Sequence, residues 1–126
     1  MKQGHITANG VVLQQHEIST IVFLTQQGFD VSLIPPQRRK GAHTPDISML
    51  GLDWEMKRPK GRSVHTIKRA FKTASRQSSN IIFDLRSSKI PDEANLSKLE
   101  KEFADIRSVK RLLIITKSGK VVDKSK

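Results

Sequence analysis

The chain is 126 residues long, has no cysteine, and carries 23 Lys and Arg against 12 Asp and Glu, a formal net charge of +11. That length suits one domain with its own core; the missing cysteines exclude a disulfide framework and thiolate metal centres; and no apolar run approaches the roughly 18 residues of a membrane span. The cationic excess points to a polyanionic partner, because clustered Lys and Arg displace counterions from phosphate backbones.

Met1-Lys2-Gln3-Gly4-His5 carries no apolar signal core, so the chain reads as soluble. Residues 1–13 form a lead-in without clear periodicity, in which Gly10-Val11-Val12-Leu13 would pack. From Gln14 to Gln27 the positions Ile18, Ile21, Val22 and Leu24, with Thr25, trace one helical face, and Gly28 supplies the stop. Phe29 to Ile34 alternates like a strand and is halted by Pro35-Pro36. The basic loop Gln37-Arg38-Arg39-Lys40-Gly41 follows.

Thr44-Pro45-Asp46-Ile47 and Trp54-Glu55-Met56-Lys57 flank the short, apolar-rich stretch Ser48 to Asp53, centred on Gly51, and read as two strands joined by a tight turn. If Leu50-Gly51 is the turn, facing residues sum to 101 and Asp46 lies opposite Glu55; if Gly51-Leu52 is the turn, the sum is 103 and Asp46 faces Lys57. Side chains alternate with period two, so both registers put Asp46, Glu55 and Lys57 on one sheet face and Ile47, Met49, Trp54 and Met56 on the other.

Arg58-Pro59-Lys60-Gly61-Arg62 forms a basic turn, and Ser63 would cap a helix reaching Gln77. Val64, Ile67, Phe71 and Ala74 are its apolar stripe, while Lys68, Lys72 and Arg76 recur at spacing four beside it, with Arg69 nearby. Asn80 to Leu85 reads as a buried strand. Pro91-Asp92 opens a third helix with Leu96, Leu99, Phe103 and Ile106 on its apolar side. Arg111 to Thr116 is a further buried strand, turned at Ser118-Gly119 into Lys120-Val121-Val122, and Asp123 to Lys126 would fray. The order of elements predicts a single α/β domain over 1–126, with a mixed sheet flanked by helices, a core over 14–116, and a hairpin and tail over 117–126.

Charge is unevenly distributed. Between Arg38 and Arg76 there are eleven Lys or Arg and three acidic residues, namely Asp46, Asp53 and Glu55. A basic segment thus surrounds the carboxylates. From Asp92 to Asp105 five acidic residues outnumber two lysines, so that stretch would face away from a nucleic acid.

Glu17 on a helix, the Gly28-Phe29-Asp30-Val31 run, Pro45-Asp46, and Glu55-Met56-Lys57 together resemble the PD-(D/E)XK nuclease superfamily, over about residues 14–116. Small size, basicity and the run Ser75 to Leu85 are similar to the C-terminal tRNase domains of CdiA contact-dependent growth inhibition toxins. The resemblance implies a restriction-endonuclease-like core and cleavage of tRNA. It also implies delivery from a secreted or cell-surface protein into a target-cell cytoplasm, and neutralisation by a cognate immunity protein whose surface would be acidic.

In that reading Asp46 and Glu55 ligate Mg²⁺, or another divalent cation such as Mn²⁺ or Zn²⁺, and Glu17 completes the shell. A hard cation of this kind takes a few carboxylate oxygens, keeps several waters, and neutralises charge on the reacting phosphate. Lys57 would orient the attacking water or offset negative charge as a compact cation. Lys68, Lys72, Arg76, Gln77, Arg58 and Lys60 are the candidate substrate contacts, with Thr66 a weaker analogue of Gln77. Asp53 shares the strand face of Glu55 but sits by the turn, where it would be solvated.

Three rival readings use the same residues. A PD-(D/E)XK DNA endonuclease of a restriction, repair or mobile-element system would share the metal chemistry. A metal-independent RNase would draw on His16, His43 and His65, none of which is paired at a telling spacing. A non-catalytic nucleic-acid binder would use the basic surface alone, although the chain has no tyrosine for a base-stacking platform.

Overall fold

The computed structural model describes residues 2–36 and 44–126. The basic loop over residues 37–41 and His43 lie outside that set, as does the side chain of Val64. In chain order the elements are β1 (Ile6–Thr7), α1 (Gln15–Gln26), β2 (Val31–Leu33), β3 (Ile47–Met49), β4 (Leu52–Lys57), α2 (Val64–Ser75), β5 (Asn80–Asp84), α3 (Asp92–Asp105), β6 (Arg111–Ile115) and β7 (Val121–Ser125). Strands are hydrogen bonded in sequence order from β1 to β7, so the predicted mixed sheet with helices is present. The chain divides into two compact units, Met1–Trp54 and Glu55–Lys126, and the division falls inside β4.

In the first unit, β1 pairs parallel with β2, and β2–β3–β4 are antiparallel. Strand β1 lies within the lead-in, where two residues show no periodicity. It is held by Gly4, whose N–H donates to the Thr25 carbonyl at 2.8 Å. A Cβ on Gly4 would stand 1.8 Å from the Phe29 carbonyl oxygen, so only glycine admits this approach.

Helix α1 ends in a Schellman motif: Phe29 N–H reaches the Leu24 carbonyl and Gly28 N–H that of Thr25, with Gly28 at φ +97°. Its buried face is Thr20, Ile21, Leu24 and Thr25. Ile18 and Val22, expected on that face, are exposed instead. The threonines take their place because each bonds its own helix: Thr20 Oγ1 to the His16 carbonyl and Thr25 Oγ1 to that of Val22. A hydroxyl satisfied locally is cheap to bury. Val31, Leu33, Ile47, Met49 and Trp54 complete the unit's apolar core, and Trp54 Nε1 donates to the Met49 carbonyl at 2.8 Å.

The hairpin adopts the register with sum 101: Ile47, Ser48 and Met49 face Trp54, Asp53 and Leu52. Leu50 and Gly51 both have positive φ, +57° and +73°, as a two-residue type I′ turn requires. Regular pairing stops at Ile47. Asp46 N–H donates at 2.9 Å to the carbonyl of Trp54, the residue Ile47 already faces. Two residues oppose one there, which is a β-bulge.

In the second unit, β4, β5 and β6 are parallel and β7 returns antiparallel. Helices α2 and α3 are the crossovers, and Ile67, Phe71, Ala74, Leu99 and Phe103 join Ile81, Phe83, Leu85, Leu112 and Ile114 in one core cluster. Phe71 stacks on Phe83 with centroids 5.8 Å apart. Every residue of β5 is buried. Leu96 and Ile106 are only partly buried, and Asn95 and Glu102 occupy the buried stripe of α3 beside Leu99 and Phe103.

The tail does not fray. Strand β7 keeps register as far as Ser125, opposite Arg111, and Lys126 N–H donates to the Lys110 carbonyl at 3.0 Å. The Lys126 ammonium donates to the Ile106 carbonyl at the end of α3 and lies 4.5 Å from the Phe103 ring centroid. Partial burial, then the neighbouring Lys110 and Arg107, hold its pKa below the usual lysine value.

Candidate functional site

Glu17 sits in the first turn of α1, half-buried, one turn before Thr20 and Ile21 on the buried side. Gln14 N–H donates to its Oε1 at 3.3 Å, the reach-back of a capping box, and a carboxylate there also suits the positive end of the helix. Glu17 therefore has a structural task in addition to any chemical one.

Asp46 is half-buried and fixed through its backbone on both sides. Its N–H goes to Trp54, and its carbonyl accepts the Ile34 N–H at 3.1 Å. It stands at the bulge, a feature that commonly re-aims a residue beside a functional site. Glu17 and Asp46 line the same cleft, about 200 Å³, whose walls include Val11, Val12, Leu13 and Ile34.

Glu55 lies on β4 with only 4% of its surface exposed. Lys57, two residues on, places Nζ 3.4 Å from Glu55 Oε2. Burying a carboxylate is costly unless a cation or hydrogen bonds compensate, and Lys57 does so while a quarter of its own side chain stays exposed. Pairing and exposure together leave this lysine able to reach a second anion.

The remaining predicted residues lie along β4, α2 and the segments that flank them. Lys68, Lys72 and Arg76 are exposed along α2, and no carboxylate among the described residues pairs with them. Ser63 caps that helix, accepting the His65 N–H at 3.2 Å. Gln77 is half-buried just past the helix, and its Oε1 has no hydrogen-bond partner among the described residues. Arg58 donates from Nε to Ser87 Oγ at 2.7 Å, and Lys60 is exposed. Asp53 is exposed as expected, Thr66 is half-buried, and His16 and His65 are exposed.

One buried charged pair had no sequence signal beyond its position at a strand end. Asp84, fully buried at the end of β5, accepts from the backbone N, Nε and Nη2 of Arg86 at 3.1, 3.0 and 2.8 Å. The cleft wall made by Val11 to Leu13 falls in the lead-in, which has no periodicity to mark it.

Among the described residues no three His, Cys, Asp or Glu side chains gather closely enough to hold a metal ion by themselves. The cleft does contain two carboxylates. A hard cation such as Mg²⁺ is typically bound through one or two carboxylates with the rest of its shell water, so this donor set fits it in type and number.

Taken together, the fold and site define a small, strongly basic, mixed α/β domain with a carboxylate-lined cleft. No helix among the described residues is long and apolar enough to cross a membrane. The family profile of the contact-dependent growth inhibition CdiA C-terminal domain matches residues 43–121, and the chain belongs to that family. Among solved structures it is similar to a chain of a CdiA-CT/CdiI toxin and immunity complex from Burkholderia pseudomallei. The two share 20% identity over 98% of this chain and 100% of that one, with a TM-score of 0.74, a likeness of fold. No curated protein sequence matches.

Proposed function

We propose that the domain is a metal-dependent nuclease of PD-(D/E)XK type with a restriction-endonuclease-like core, a tRNA-cleaving toxin of contact-dependent inhibition delivered into a target-cell cytoplasm. The observation that carries the reading is the pair Glu17 and Asp46 in one small cleft of a chain with net charge +11. Family membership supports the toxin context.

Asp46 and Glu17, the two carboxylates of the cleft, would hold Mg²⁺, Mn²⁺ or Zn²⁺ with water completing the shell, while Glu55, the third expected ligand, is not among the cleft's lining residues; the cation would supply positive charge to the phosphate under attack. Asp46 contributes a carboxylate whose backbone cannot shift without breaking hydrogen bonds to two strands or their extensions. Lys57, already set against Glu55 Oε2, would orient water or offset negative charge on the phosphate. The cationic side of α2, with Arg58, Lys60 and Gln77, would follow the phosphate backbone. By analogy with the Burkholderia complex, an immunity protein would neutralise the domain, presenting acidic surface to it.

The test incubates purified protein with total tRNA, mRNA and plasmid DNA in parallel, with each divalent ion. Cleavage of tRNA is expected, with EDTA abolishing it and Asp46→Ala lowering it more than about a hundredfold. Undiminished cleavage by Asp46→Ala would sink the proposal. Intact tRNA beside nicked plasmid would assign a DNA endonuclease instead. Tight, salt-sensitive binding without cleavage under any metal would leave a non-catalytic binder.

A further inference from the structure

The segment between β1 and α1 is built rather than slack. Asn9 and Gly10 both have positive φ, +52° and +76°, and Val11 N–H closes the turn onto the Ala8 carbonyl at 2.9 Å. This is an Asn-Gly type I′ turn. The Asn9 amide fixes it to β2, donating to Ser32 Oγ at 3.0 Å and to the Leu33 carbonyl at 2.9 Å. Val11, Val12 and Leu13 follow directly and then hand over to the helix that carries Glu17.

This anchored arm presents an apolar side chain to water. Val12 is 94% exposed, the most exposed large hydrophobic residue among those described, yet it lines the cleft that contains Glu17 and Asp46. A lone exposed valine needs no explanation on an arbitrary surface. Here it stands at the mouth of a carboxylate-lined cleft, on a backbone held by an eclectic set of bonds that do not involve its own side chain. A phosphate has no use for an apolar wall, whereas the ribose and base joined to it do.

We infer that Val11, Val12 and Leu13 form a subsite for the nucleoside next to the scissile phosphate, with Val12 packing against its base or sugar. The inference rests on the nuclease reading for where the phosphate lies; the apolar contact itself is independent of cleavage. It would give the cleft a preference for an unpaired nucleotide, because a base still stacked within a duplex cannot reach such a wall.

Val12→Ser removes the apolar contact at an exposed position, where folding is insensitive, and Val12→Leu keeps it. With a labelled single-stranded RNA oligonucleotide in EDTA, Val12→Ser should weaken binding about five- to tenfold, as loss of part of a valine's burial implies, and Val12→Leu should bind like the unaltered protein. The slope of log affinity against log salt should stay unchanged, because no phosphate contact is lost. In cleavage assays KM should rise by a similar factor with kcat within about twofold. Unchanged RNA affinity in Val12→Ser overturns the inference, as does an effect confined to binding an inhibitor protein. If nothing is cleaved but Val12→Ser still weakens RNA binding, the nuclease reading fails and the subsite stands.

Discussion

Leu50 occupies a left-handed backbone position that costs a non-glycine residue about 1–2 kcal/mol, and its side chain is about half exposed, so packing returns little. Leu50→Asn should therefore stabilise the domain by about 0.5–1 kcal/mol, because Asn-Gly is the preferred type I′ pair; chemical denaturation would show it as a higher midpoint at constant slope. Gly4 behaves in the opposite sense. Gly4→Ala drives a methyl into the Phe29 carbonyl and should cost about 2–4 kcal/mol, and a loss below about 0.5 kcal/mol would mean that β1 simply lifts away. Single residues of this kind differ in legibility. Gly51 was readable as a turn former because its neighbours alternate, and the buried face of Ile47, Met49 and Trp54 followed by counting. Gly4 was not, since the atom it accommodates lies 25 residues away in sequence at Phe29.

At the scale of elements, helix α2 carried the clearest signal, with a cap at Ser63, an apolar stripe and a cationic side all recurring at helical spacing. Ser63→Ala should cost about 1 kcal/mol of stability. Replacing Lys68, Lys72 and Arg76 together with Gln should flatten the salt dependence of RNA binding by about two units of log–log slope, as roughly 0.7 per lost single-strand phosphate contact implies; an unaltered slope would remove α2 from the interface. Helix α1 was legible in extent but not in orientation, because buried threonines masquerade as polar residues until their intrahelical hydrogen bonds are seen. The two sheet margins were hidden for different reasons. Strand β1 has only two residues, too few for a period. At the other margin the run Asp123-Lys124-Ser125-Lys126, in and just after β7, is polar throughout, and what orders it comes from elsewhere: Arg111 pairs with Asp123 at 2.8 Å and Glu100 with Lys124 at 2.9 Å. The two candidate segments around Asp46 and Glu55 are legible by spacing; the bulge at Asp46 is not, because one extra residue in a hydrogen-bonded ladder leaves no trace in composition.

For the whole molecule, a net charge of +11 makes association with any acidic inhibitor a matter of long-range steering as well as of fit. The association rate of such an inhibitor should fall at least about tenfold between 50 and 500 mM salt while the dissociation rate changes far less, measurable by stopped-flow fluorescence of Trp54 or a label. The strand β4 has a different kind of consequence. Leu52 to Trp54 pair with β3, Glu55 to Lys57 pair with β5, and the division of the chain falls between Trp54 and Glu55, both of them buried. Boundaries of separable modules ordinarily fall in exposed linkers. A division inside a laddered strand, between two buried residues, offers a protease no accessible bond to cut. Limited proteolysis of the folded chain is thus expected to leave the Trp54–Glu55 bond uncut and to release no fragment ending at Trp54.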